Sequence, residues 1–150
     1  QVVISSTRIR EALLNNDIDT ANHFLGYSYF FEGLVVEGNK IGRTIGFPTA
    51  NLHISSEEKL IPANGVYAVK IQLGQESFVG MMNIGIRPTV DGKKRVIEVN
   101  IFNFNRDIYG QQLIIRIEKF LRGEVKFNGL EELKAQLNAD RNQAVSVFTP

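Results

Sequence analysis

Val66-Tyr67-Ala68-Val69-Lys70-Ile71-Gln72-Leu73, followed by Gly74-Gln75, is the stretch on which the fold turns. Tyr67, Val69, Ile71 and Leu73 fall at every second position, with Lys70 and Gln72 between them, the period of an extended chain with one buried face. Gly74-Gln75 interrupts the run where a short turn would begin a hairpin. The same grammar extends outward. Residues 30–36, 47–52, 78–84, 95–104 and 113–120 are further strand candidates, separated by Gly, Pro and Asn and by no convincing helical period. Six strands without long crossovers predict a mainly β fold, a six-stranded antiparallel barrel of Greek-key type.

Helical signals lie only at the two ends. A Ser5-Ser6-Thr7 cluster suited to capping precedes Ile9, Ala12 and Leu13 on one face, Asp17 can cap a second short helix, and Gly26 would end it. After Arg122-Gly123 the helical period returns. Asn128 is the expected cap, Glu131 the third helical residue, and Leu130, Leu133 and Leu137 an apolar stripe that would pack on the barrel.

Composition narrows the function classes. The 150 residues are 43% hydrophobic and 22% charged, which is the make-up of one globular domain. No cysteine is present, so there is no disulfide framework, thiolate metal site or cysteine nucleophile, and a cytoplasmic home is the default expectation. Seventeen Lys+Arg against 16 Asp+Glu give a net charge of +1, without the basic stripe interleaved with aromatics that a small RNA-binding barrel would carry. No apolar run approaches the roughly 20 residues of a membrane-spanning helix. The first residue is Gln1, read as a cut end, and no signal-peptide layout follows it.

Three segments carry candidate chemistry. In Gly46-Phe47-Pro48-Thr49-Ala50-Asn51-Leu52, an extended backbone projects Thr49 and Asn51 from one face, two neutral oxygen donors of the kind magnesium accepts alongside water and phosphate. Two polar residues facing solvent are the plainer alternative. Just upstream, Gly38, Gly42 and Gly46 recur at every fourth position, with Lys40 and Arg43 among them, so that backbone amides and two cations could meet a phosphate. Neither a P-loop nor a strand–GxGxxG–helix unit is present. In Val96-Ile97-Glu98-Val99-Asn100-Ile101 the apolar residues alternate, placing Glu98 and Asn100 opposite them, on the expected side of Phe102 and Phe104. Partial burial there would raise the Glu98 pKa toward that of a useful general base, whereas an exposed strand glutamate would stay ordinary.

Taken together and in order, Gly46-Phe-Pro-Thr-Ala-Asn-Leu52, Gly65-Val-Tyr67, Asn83-Ile-Gly-Ile-Arg87-Pro-Thr89, the Glu98 strand, Tyr109-Gly110 and Leu121-Arg122-x-Glu124-x-x-Phe127 resemble the motifs of riboflavin kinase, from about Tyr27 to Asp140. Ile4-Ser-Ser-Thr-Arg-Ile-Arg10 is similar to the last phosphate-binding motif of the FMN adenylyltransferase domain that precedes riboflavin kinase in bacterial bifunctional FAD synthetases. The resemblance divides the chain into a remnant of that domain with linker helices at 1–26 and a kinase barrel with its C-terminal helix at 27–150.

The resemblance implies transfer of the ATP γ-phosphate to the ribityl 5′-hydroxyl of riboflavin, with Mg2+, giving FMN and ADP. Glu98 would accept the hydroxyl proton. Thr49 and Asn51 would hold the Mg-nucleotide, with Gly38 and Arg43 in a loop over the phosphates and Asn103 and Tyr109 near the nucleotide. Arg122 and Phe127 would belong to a loop that closes on the flavin. Asn100 stands where the family often has histidine. The implied partners are small molecules and the adenylyltransferase domain of the parent chain, with no nucleic acid or membrane, and the fragment would lack adenylyl transfer. A non-catalytic flavin-binding barrel is the alternative. It would keep Arg122 and Phe127 but would have no need of Thr49, Asn51 and Glu98 together.

Overall fold

The structure is a computed structural model that describes residues 6–37, 43, 45–56 and 58–150. Its elements in chain order are α1 (Ser6–Leu14), α2 (Ile18–Leu25), β1 (Phe30–Val36), β2 (Ala50–His53), β3 (Gly65–Leu73), β4 (Glu76–Thr89), β5 (Gly92–Ile101), β6 (Gln112–Arg122) and α3 (Leu130–Phe148). The strands close into an antiparallel barrel in the order β1-β2-β5-β4-β3-β6. Leu73 faces Glu76 across the Gly74-Gln75 turn, where Gly74 takes φ 60°, so the expected hairpin forms.

Alternation sorts the apolar side chains into two clusters. Tyr67, Val69, Ile71 and Leu73 point inward with Phe31, Met82, Ile84, Ile97, Val99, Leu113, Ile115 and Ile117, filling the barrel. Val66, Ala68, Met81 and Phe102 point outward and are covered by α3 through Leu137 and Ala144. Inward and outward residues alternate along one strand, so β3 is buried on both faces where α3 crosses it.

The N-terminal helices complete the inner core. Leu13, Ile18 and Ala21 are fully buried among the barrel residues, and the Ala63 amide donates to the Leu13 carbonyl at 3.1 Å. Asp17 Oδ1 accepts from the Thr20 amide at 3.2 Å, and Gly26 ends α2 in the left-handed region at φ 81°. Asn22 then ties α2 to the barrel, its Nδ2 donating to the Ile117 carbonyl at 3.0 Å and its Oδ1 accepting from the Tyr29 amide at 2.8 Å. Leu13→Ala should therefore destabilise the whole barrel by about 2–5 kcal/mol, read as a shift in the urea midpoint. A separate, early melting of the helices with the barrel intact would contradict this single-core packing.

Four local expectations are corrected. β2 begins at Ala50, not 47, because Pro48 lacks the amide that a ladder needs. β5 ends at Ile101, and the chain turns through Asn103 at φ 55°, so Phe104 leaves the Glu98 side and packs against the inner cluster, edge-on to Phe78. Asn128 does not cap α3. That helix starts after Gly129, with no side-chain cap, and Leu130 is left exposed while Leu133, Leu137 and Ala144 face the barrel side. The β4–β5 hairpin outruns the expected limits of 84 and 95: β4 reaches Thr89 and β5 begins at Gly92, so Lys93 and Lys94 are exposed strand residues opposite Pro88 and Arg87, and Arg95 donates from Nε to Asn64 Oδ1 at 2.8 Å and from Nη2 to the Pro62 carbonyl.

Candidate active site

Strand register assembles the site. Asn51 on β2 lies directly opposite Glu98 on β5, Glu98 opposite Asn83 on β4, Asn83 opposite Val66 on β3, and Val66 opposite Arg122 on β6. The five residues thus form one row across the outer face of the barrel, neighbours separated by a strand spacing of roughly 4.8 Å. Nothing near in sequence would bring them together.

Two cavities take part of their lining from this row. The larger, about 630 Å³, is lined by Arg43, Thr49, Asn51, Phe104, Asp107 and Tyr109 among others. The smaller, about 160 Å³, lies between the barrel wall and α3 and is lined by Thr49, Asn83, Arg87, Glu98, Asn100 and Leu133 among others. Thr49 belongs to both. The structure therefore brings together Arg43, Thr49, Asn51 and Tyr109 around one cavity, with Glu98 at the adjoining cleft. Asn103 lies outside both linings, and Gly38 lies outside the described residues. Arg122 and Phe127 also line neither cavity. Arg122 is clamped to α3 by two bonds to the Asp140 carboxylate, at 2.8 and 2.7 Å, and its guanidinium carbon sits 5.8 Å from the centre of the Phe127 ring.

The electrostatics of the cleft centre on Glu98. Burial raises its pKa above the ordinary carboxylate value; Arg87, with Nε 3.4 Å from Glu98 Oε1, lowers it, and Glu124 raises it again. Arg87 is shared, since its Nη1 also lies 3.5 Å from Glu124 Oε1 on the chain after β6. Gly85 makes that approach possible: a Cβ there would sit 1.9 Å from Glu124 Oε1. Asn100 is buried, its Nδ2 donating to the Pro48 carbonyl at 2.7 Å, which ties the Glu98 strand to the segment that presents Thr49.

Arg87, Glu124 and Asn83 were not singled out individually from sequence, although all three lie inside the quoted motifs. Their opposite effects on Glu98 give a test. A base works only when ionised, so if Glu98 is the base, activity would fall as pH drops through its folded-state pKa. Arg87→Met removes the group that favours the charged form and should move this acid limb to higher pH; Glu124→Gln removes a like charge and should move it to lower pH. Shifts in the same direction in a kcat/KM pH profile would refute the shared-arginine arrangement.

The family model for flavokinase, riboflavin kinase, matches residues 25–148. The chain belongs to the riboflavin kinase family. It is 45% identical over 149 residues to the bifunctional riboflavin kinase/FMN adenylyltransferase of Bacillus subtilis, covering 97% of this chain and 47% of that protein. It thus spans about half the length of the curated relatives it matches. Among solved structures, one described as a macrolide-efflux protein from Streptococcus pneumoniae is 42% identical, with a TM-score of 0.85 over 91% of this chain and 45% of that chain. Riboflavin kinase from Trypanosoma brucei, at 21% identity and TM-score 0.55 over 79% of this chain and 78% of that chain, shares the fold. Among the described residues, no helix is long and apolar enough to cross a membrane.

Proposed function

We propose that this chain phosphorylates riboflavin at the ribityl 5′-hydroxyl, using ATP with Mg2+ and releasing FMN and ADP. The observation that carries the reading is the row in which Asn51, at the rim of the larger cavity, stands directly beside Glu98 at the smaller cleft. A phosphate donor in the first and a hydroxyl in the second would meet at Glu98. The Glu98 carboxylate takes the hydroxyl proton as the oxygen bonds to the γ-phosphorus, and the bond from that phosphorus to the ADP oxygen breaks. Phosphoryl transfer needs alignment and charge neutralisation more than covalent help.

Thr49 and Asn51 fit a magnesium ion that comes with its nucleotide: they are neutral oxygen donors on one face, and among the described residues no group of three or more His, Cys, Asp or Glu forms a carboxylate-rich cage. Bound there, the ion would neutralise phosphate charge. Arg43 and Tyr109 would contact the nucleotide from the same cavity. Gly38 and Asn103 are proposed nucleotide contacts from the resemblance alone. Flavin needs more room than the smaller cleft offers, since ligand clefts are typically about 300–1,000 Å³. We therefore assign Phe127 and its chain, 123–129, to a segment that gives way to the ring, with Arg122 as its anchor on α3.

We assign phosphoryl transfer, and not adenylyl transfer, to these residues, because the family model they match is that of riboflavin kinase. Residues 1–26 would then carry the end of an adenylyltransferase domain together with the helices that link it to the barrel, on whose core α1 and α2 pack; that domain would be the chain's partner in a longer protein, in the cytoplasm. The test is to incubate the chain with riboflavin and ATP and to separate the flavins by chromatography. FMN that appears only when magnesium is supplied supports the kinase; riboflavin binding without FMN favours the non-catalytic flavin-binding barrel. Thr49→Ala should raise the KM for Mg-ATP by about tenfold, the loss of one hydrogen-bonding or ligand contact, with the riboflavin KM unchanged.

A further inference from the structure

We infer that Asn83 contacts the substrate and sets its specificity: its side-chain oxygen accepts a hydrogen bond from the hydroxyl next to the one phosphorylated, so that the cleft selects a polyol chain. This deepens the kinase reading and rests on it. The observation is an imbalance. Among the described residues, Asn83 Oδ1 is the buried side-chain oxygen with no hydrogen-bond partner, a condition that disfavours the folded state unless a donor arrives.

The surroundings do not provide that donor. Along the row, Asn83 has Glu98 on one side, an acceptor when ionised, and Val66 on the other, which has no polar side-chain group. Asn100 Nδ2, which lines the same cleft, is spent on the Pro48 carbonyl, and Arg87 is turned to Glu98 and Glu124. Two acceptors, Glu98 and Asn83, therefore stand one strand spacing apart and face one cleft. A chain with hydroxyls on neighbouring carbons matches them: the terminal hydroxyl gives its proton to Glu98 and the adjacent 4′-hydroxyl donates to Asn83. The order of the row agrees, because beyond Asn83 come apolar Val66 and then the Arg122 and Phe127 pair, in the direction in which a flat ring would follow its sugar-alcohol chain.

The test compares riboflavin with 4′-deoxyriboflavin as substrates of the wild-type chain, Asn83→Ala and Asn83→Leu. With riboflavin, kcat/KM should fall about tenfold in both variants, the worth of one lost hydrogen bond. With the deoxy analogue, wild type and variants should be equal, and the wild type should already be slowed by a similar factor. Asn83→Leu should melt no lower than the wild type, because it removes an unpaired buried acceptor. Equal losses on both substrates would make Asn83 a structural residue and overturn the inference, as would unchanged kinetics on both. No FMN from the wild-type chain itself would remove the kinase reading and this inference together, whereas FMN from the wild type with no difference between the substrates removes this inference alone.

Discussion

Glu98→Gln is expected to cut turnover by about 10²–10⁴-fold, the range for loss of a positioned general base, while riboflavin and Mg-ATP still bind. The substitution keeps the size and shape of the side chain and removes its charge and its ability to take a proton. Stability should not suffer. Burial already disfavours the ionised carboxylate and pushes its pKa up, so a neutral amide is tolerated in the same place. Arg87 retains Glu124 as a charge partner. The measurements are FMN formation by chromatography, riboflavin affinity by fluorescence quenching, and a thermal melt. Unchanged turnover would remove Glu98 from the mechanism. Loss of flavin binding along with turnover would instead make Glu98 a recognition group.

The barrel was legible because its signal is local. Tyr67, Val69, Ile71 and Leu73 alternate within one strand, and no distant residue is needed to read them. Element ends were less so. Asn128 has the chemistry of a cap, yet the helix starts two residues later, because a cap depends on the backbone angles of one residue, and neighbouring sequences compatible with a cap are common. Phe104 was assigned to the wrong side for a related reason: alternation holds only while the strand lasts, and the left-handed turn at Asn103 resets it.

The site divides in the same way. Thr49 and Asn51 sit two residues apart in an extended run, and although β2 begins only at Ala50 both line the larger cavity. Asn83, 15 positions before Glu98, becomes its neighbour only through the pairing of β4 with β5, and Glu124 reaches Arg87 only through a glycine that leaves space for it. Register and close approach are tertiary facts. The resemblance to riboflavin kinase stood in for them by collecting residues such as Asn83, Arg87 and Glu124 into motifs, without saying which of those residues face the cleft.

Asp140→Ala should cost about 3–5 kcal/mol of stability, the usual consequence of removing one partner from a buried ion pair. Asp140 is only 1% exposed and accepts from Arg122 Nε, Arg122 Nη2 and Gln136 Nε2, the last at 2.9 Å. Its loss leaves the Arg122 guanidinium, 17% exposed, without its counter-charge against α3. The cost comes mainly from that stranded charge, and the double replacement Arg122→Met with Asp140→Leu should recover most of the loss in a urea titration. If the double variant is no more stable than Asp140→Ala, the pair is not a charge clamp and the geometry of α3 is held by apolar packing, Leu137 and Ala144 among it. The two variants also separate fold from function. Arg122 carries Phe127 on its guanidinium face, so the double variant, stable but lacking that cation, should bind riboflavin more weakly than the wild type while leaving the KM for Mg-ATP unchanged. That split follows from the row: Arg122 lies at the far end from Asn51, four strand spacings away from the proposed nucleotide contacts.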